Sequence, residues 1–598
     1  MLSELNGEWV VGGCGWRGQP PPAAMSVPGV SAVWCSAAVP VRAVSVLGAG
    51  ELVLLGACPA GEEELRAALV AAGRGRWAAL TALPGSYWCV AELDSGGRQF
   101  VCGDLAGLRG VFRTSTEGPD AMVWASRAGM LAGRTGSGVD WHQVAAELVS
   151  GAGHWPTATS YEGVAAVAGG SGLVWHPRDG RVSGTVNTRP RCGELPLEDG
   201  AEAFGEALGG AVAWRAEASG GDLGADLSGG LDSSTAVLLA AERARGLVAV
   251  TYGGPLASAE DTATARRVAD HAGVRHHVAT EPTWHFQTLP ATATEAPVLA
   301  SSTAALDAAY LAPAAGRRMH LTGHGGDVVL DASSAVWPDL IARGQRRAAH
   351  RGLAATARRR NTAPGPLWRH AREQAALTRP QALNVAADQV AAGTAASASA
   401  STGWSWVHLG AAAAWLTPAG REAVAGRLRQ AADVASAAGL PGAFDDWAAL
   451  HATAAECRAH HPLYTALGAN LTHPFLDNTV VRAAFDIPAH RRHVPGRPKV
   501  LLGAALPGLP RWLTSRSSKG SFAPMLLTGL RRERARLHQL IVSHPLVGAG
   551  LIDPHRARAT LDAVADGREG RGAGGGLAAV HHLLVIGQWA TVRPAEVA

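Results

Sequence analysis

The sequence predicts an α/β protein in two parts, a β-rich region over 1–190 and a region over 196–598 built on a parallel sheet with added helices. Three observations carry this reading. Short apolar runs broken by Gly, Pro and Asp fill the first part. Strands and helices alternate after Pro196, the signature of a parallel sheet. A Gly-rich turn, Ser228–Gly229–Gly230, falls where the first of those later strands gives way to a helix.

In the first part, the runs 44–55, 86–93, 99–102 and 121–125 read as strands. Glu62 to Ala72 has helical apolar spacing, and Asp140 opens a second helix in the manner of an N-cap. The stretch GGSGLVWHPRDGRVSG from Gly169 reads as a closing hairpin. Beyond Pro196 a helix over 203–218 leads into a strand over 223–227, and after the Gly-rich turn a helix starts near Thr235. A strand over 248–252, a helix over 260–272 and a third strand over 319–322 follow. From about 335 to 470 the pattern is helical. It includes nine arginines and no acid between Ile341 and Arg372, which reads either as a solvated helical face or as a docking surface for an acidic partner. Gly393 to Gly403 is a small-residue linker or loop.

Composition narrows the function classes. Charged residues make up 17% of the 598 and hydrophobic ones 47%, which excludes a disordered chain. A net charge of +4 argues against a dedicated nucleic-acid binder. The opening MLSELNGEW carries an acid where a signal peptide would be basic, and prolines break the uncharged stretch from Gly18 to Val41. The uncharged run from Gln389 to Gly420 is too polar for a 20-residue apolar span. The expectation is a cytoplasmic protein without a membrane span. Seven cysteines (14, 35, 58, 89, 102, 192 and 457) form no CxxC pair, so they read neither as a disulfide framework nor as a zinc site. Of 53 basic residues only Lys499 and Lys519 are lysines, which singles both out.

The chemistry concentrates in two motifs. The first is DLSGGLDSS over 226–234, between a strand and a helix. Glycines there let backbone N–H groups approach an anion, and the helix N-terminus favours negative charge. Leu227, Ser228, Gly229, Gly230, Ser233 and Ser234 form the phosphate-binding loop in this reading, with Tyr252 at the end of the next strand, and Asp232 offers a carboxylate to magnesium. GxxxxGK[ST] is absent, so this is not a Walker A loop. The second motif is LTGHGGD over 321–327, where Gly323 adds a close backbone approach and Asp327 a second carboxylate. Two carboxylates beside a bound phosphate suit magnesium.

SGGLDSS resembles the PP-loop of the ATP pyrophosphatases, which cleave ATP between the α and β phosphates. With LTGHGGD it resembles the synthetase domain of the asparagine synthetase superfamily. Further matches are EDTATARRVADHAGVRHH, HPFLDNTVVRAAFDIP over 473–488, and GRPKVLLGAALPGLPRWLTSRSSKGSF over 496–522. The resemblance implies a C-terminal PP-loop ATP pyrophosphatase domain that uses ATP and Mg2+. Its R-x-x-K-G-x-F pattern falls on Arg516, Lys519, Gly520 and Phe522, and it implies that Lys519 stabilises charge on the α-phosphate and the tetrahedral intermediate. Lys499, in GRPK, falls where the family often has a basic residue, and also reads as a plain surface lysine.

The stretch LTALPGSYWCVAELDSGGRQFVCGDLAGLRGVFR, with ASRAGMLA and GVAAVAGGSGLVW, resembles the superfamily's glutamine amidotransferase domain, an Ntn-hydrolase-like αββα fold. That chemistry needs a cysteine after the initiator, where this sequence has Leu2, so the expectation is a degenerate domain without glutaminase activity. His324 stands where β-lactam synthetases carry Tyr, and Glu295 lies 28 residues before Gly323 in an E-x-P string. These features resemble the lasso-peptide cyclases. The resemblance implies that an Asp or Glu side chain of a precursor or core peptide is adenylated and that the peptide's N-terminal amine closes a macrolactam. Glu295 and His324 then serve as the base, unless Glu295 is a structural ion-pair partner and His324 only lines the pocket. A leader peptidase and a leader-binding protein are the implied partners. The alternatives are a β-lactam synthetase-like or ammonia-using small-molecule ligase, or a non-catalytic scaffold.

Overall fold

A computed structural model describes residues 7–16, 20–93, 97–115, 122–176, 182–190, 193–290, 292–332, 335–394, 405–516, 520–568 and 575–592. Two six-stranded antiparallel sheets are stacked in the N-terminal part. Strict alternation explains the stack, because successive side chains on a strand face opposite ways. On the strand Gly50–Ala57, Val53 and Leu55 enter the core between the sheets, while Leu52 and Leu54 meet the outer helix Glu62–Gly73. Val10 likewise faces the inter-sheet core, and Val11 faces the helix Ala128–Thr135 on the opposite side. The order is therefore helix, sheet, sheet, helix. The run 44–55 is two strands, Val41–Val46 and Gly50–Ala57, joined by a tight turn. Asp140 caps the helix Trp141–Ser150 by accepting from the Gln143 N–H at 3.0 Å. The hairpin forms from Ser171–Trp175 and Val182–Asn187.

The second sheet system is a five-stranded parallel sheet in the order Arg275–Ala279, Val248–Tyr252, Leu223–Asp226, Met319–Leu321, Leu471–Thr472. Two of its strands escape the sequence reading. Arg275–Ala279 (RHHVA) has no apolar pattern because it is a partly exposed edge, and Leu471–Thr472 is only two residues long. The strand over 319–322 is thus fourth in chain order, and it ends at Leu321. The helix expected from Thr235 begins at Leu231, so Asp232 and Ser233 lie in its first turn rather than in a preceding loop. The order in which the chain adds strands switches sides between Leu223–Asp226 and Met319–Leu321, and a crevice opens at the carboxyl ends of parallel strands at such a point. Both Gly-rich motifs leave the sheet there.

The Arg-rich segment forms the helices Arg346–Arg360 and Pro364–Ala376. Ala349, Leu353, Ala357, Leu367 and Ala371 are buried, and all nine arginines lie on the exposed side. No helix among the described residues is long and apolar enough to cross a membrane.

Candidate active site

The loop after Leu223–Asp226 is held by its own hydroxyls. Ser228 Oγ and Ser233 Oγ are 2.9 Å apart, the Ser228 N–H donates to Ser233 Oγ at 3.1 Å, and the Gly230 N–H donates to Ser228 Oγ. The Leu227 N–H is taken by Val250 O. Gly229 has φ +78°, and a Cβ there would lie 2.1 Å from Asp261 O, so the turn requires glycine twice over. Helix Leu231–Ala241 then directs its N-terminus, with Gly230 at the N-cap, toward the crevice.

The GHGGD loop packs directly on this turn. A Cβ at Gly326 would meet Asp232 Cγ at 2.5 Å, and one at Gly323 would meet Ser233 N at 2.8 Å. The two carboxylates converge on one cation that sequence spacing could not assign. Lys499 Nζ pairs with Asp232 and lies 2.7 Å from Asp327 Oδ1. Burial opposes the charge on Lys499, but the two carboxylates outweigh it and raise the ammonium above its ordinary value. Asp232 is 10% exposed and Asp327 66%, so the pair forms one wall and one lip of the site. Two hard oxygen donors on one side of the crevice are of the kind magnesium takes, and the ion would share them with the Lys499 ammonium.

Arg516 clamps the far side of the loop. It donates to Gly229 O at 2.6 Å and pairs with Asp261 and Glu260, while the Gly520 N–H donates to Asp261. Gly520 and Phe522 line the crevice. Lys519 lies outside the described residues.

The crevice widens into a cavity of about 1300 Å3 whose wall includes both Gly-rich loops and the N-terminal region. Leu227, Ser228, Gly230, Asp232, Ser233, Tyr252, Glu295, Gly323, His324 and Asp327 all line it. Gly229 shapes the turn from behind, and Ser234 is fully buried in the helix without lining the cavity. The Tyr252 hydroxyl donates to Glu281 O and accepts from the Thr283 N–H.

Glu295 is half-buried at the seam between the two parts of the chain. Its carboxylate accepts from the Gly129 N–H at 2.8 Å, at the N-terminus of the helix Ala128–Thr135, and its backbone carbonyl accepts from the Tyr161 hydroxyl. Burial raises its carboxyl above the usual range, against the pull of Arg458 and Arg127. His324 is exposed to the cavity, 5.5 Å by ring centroid from His460 and 5.7 Å from His473. Glu456 also lines the cavity, and burial pushes its carboxyl up to about 7 despite the Leu299 and Ala300 N–H groups. It sits on the helix Pro441–Ala466, whose mixed apolar and polar texture gave no sign of function.

Residues 203–575, more than half of the chain, match the family described as asparagine synthase. No curated protein matches the chain.

Proposed function

Since the chain belongs to the asparagine synthase family and is an ATP-dependent, AMP-forming carbon–nitrogen ligase, we propose that it closes the macrolactam ring of a lasso peptide. The cavity carries this reading. Small-molecule sites measure about 300–1000 Å3, and the volume here, about 1300 Å3, has to take ATP at the Gly-rich loops and still extends to the N-terminal part, which supports a peptide segment as the second occupant. Its wall also draws on His154, Trp155 and Tyr161 of the N-terminal part, which supports a role for that part in holding peptide.

The reaction runs in two steps. A carboxylate oxygen of a peptide Asp or Glu attacks the α-phosphorus of ATP, and pyrophosphate leaves. The peptide's N-terminal amine then attacks the acyl carbon, AMP leaves, and the nitrogen gives up a proton. The Ser228–Ser233 turn would cradle the leaving pyrophosphate, with Tyr252 near the nucleotide. Asp232 and Asp327 would hold Mg2+, which when bound neutralises phosphate charge. Lys499 balances those two carboxylates, and Lys519 is assigned to the reacting phosphate and oxyanion. Partners of the pathway would be a leader peptidase and a leader-binding protein.

A peptide α-amine has a pKa of about 8 and needs a base at neutral pH. Glu295, with His324 to orient the proton transfer, is that base in this reading. Burial raises its carboxyl toward the range a base requires. Glu456 is the second candidate because its value near 7 matches the task. Glu295→Gln is expected to keep peptide-dependent exchange of pyrophosphate into ATP while ring closure falls about 100-fold or more. If Glu456 is the base, Glu456→Gln gives that pattern instead. The wild-type closure rate then rises with pH through about 7, since the carboxylate must be ionised to accept the proton. Closure at the wild-type rate by both variants rules out both carboxylates.

The substrate class is tested by mass spectrometry on a core peptide with Asp or Glu at the ring position. Loss of one water together with AMP formation supports the proposal. AMP formation driven by aspartate and ammonia, or by a small β-amino acid, and not by peptide would assign a small-molecule ligase.

A further inference from the structure

The cavity holds a second set of donors, chemically unlike the carboxylate pair. His324, Cys457 and His460 each present a ligand atom within 4.8 Å of the other two. The arrangement follows from local structure. Cys457 and His460 are three residues apart on the helix Pro441–Ala466 and therefore share a face. His324 comes from the GHGGD loop, whose neighbouring Thr322 is held at 2.7 Å by His473 Nδ1. All three residues line the cavity. Cys457 is a free thiol, 2% exposed, and His460 is 3% exposed. The Nε2 of His460 is buried with no hydrogen-bond partner. An orphaned buried polar atom costs about 1–3 kcal/mol, so a ligand that engages it has a ready stabilisation to contribute.

From this convergence we propose that His324, Cys457 and His460 bind a zinc-class transition metal ion whose fourth coordination position faces the cavity. Sulfur and imidazole donors favour such ions over magnesium or calcium. Three protein ligands with an open position are the pattern of reactive rather than closed structural zinc sites. On binding, the Cys457 thiol gives its proton to solvent, and a thiolate with two neutral imidazoles leaves a divalent ion one net positive charge. That charge suits a substrate carboxylate or a neutral amine as the fourth ligand. Bonds of about 2.0–2.3 Å draw the three donor atoms to about 3.5 Å from one another, a small closure of the present cluster.

The experiment uses the full chain, reduced and without ATP or peptide, so it does not depend on the proposed substrate. Titration with Co2+ is expected to give tetrahedral d–d absorption with a thiolate-to-cobalt charge-transfer band at one equivalent, displaced by Zn2+. Cys457→Ser should lose the charge-transfer band, and His324→Ala and His460→Ala should each weaken Co2+ binding more than about 100-fold. Cys14→Ser should change nothing. Near-ultraviolet circular dichroism reports whether each variant folds. If Cys457→Ser does not, protection of Cys457 from alkylation by Zn2+ in the wild-type protein, read by peptide mass mapping, decides the matter. Absence of the charge-transfer band in the wild type, its survival in folded Cys457→Ser, or alkylation of Cys457 unaffected by Zn2+ overturns the proposal.

Discussion

Asp232→Asn is expected to lower formation of AMP and pyrophosphate by at least about 100-fold, the scale on which loss of one preorganised electrostatic group acts. The side chain does two things. It packs against the GHGGD loop at Gly323 and Gly326, and it shares the Lys499 ammonium with Asp327. Asparagine keeps the volume against Gly326 but removes the charge, so Lys499, 9% exposed, is left with one carboxylate that is largely in water. Removing one member of a fully buried pair costs about 3–5 kcal/mol, and the surviving Asp327 contact should hold the stability loss below that. Turnover by Asp232→Asn at the wild-type rate, with the melting temperature unchanged, would remove Asp232 from the site. ADP and phosphate as products of the wild type would be incompatible with attack at the α-phosphorus.

Asp477→Ala should cost about 3–5 kcal/mol of unfolding free energy, read as a fall in the urea midpoint at constant m-value. Asp477 is fully buried, and its carboxylate is the joint between the two parts of the chain. One oxygen accepts from Arg215 at 3.0 Å, the Gly85 N–H reaches both oxygens at 3.0 Å, and Thr479 N–H caps the next helix on it. Alanine leaves the Arg215 guanidinium, 2% exposed, without its counter-ion, and leaves the Gly85 amide without its carboxylate. Arg215→Met combined with Asp477→Leu should recover part of the loss, because an apolar pair strands no charge. A change within about 0.5 kcal/mol for Asp477→Ala, the range of an ordinary surface substitution, would refute this account of the seam.

The same contrast runs through the whole molecule. The sequence by itself determined the α/β class, the strand–turn–helix setting of SGGLDSS, the GHGGD loop and the family, because each depends on backbone geometry set by residues a few positions apart. Gly229 is legible as a loop glycine since its positive φ is a local property. Only the tertiary structure decided what meets at the crevice. Lys499 reaches Asp232 across 267 residues, and no spacing encodes that contact. Cysteine spacing along the chain forms no CxxC pair, whereas Cys457 comes near His324 and His460 through the packing of a helix on a loop. The edge strand Arg275–Ala279 has no apolar alternation, and its place follows from hydrogen bonding to Val248–Tyr252. Local conformation is written in neighbouring residues. Convergence of distant side chains is a product of which faces the core buries, and burial is what turned Glu456 into a candidate base and left His460 with an unpartnered nitrogen.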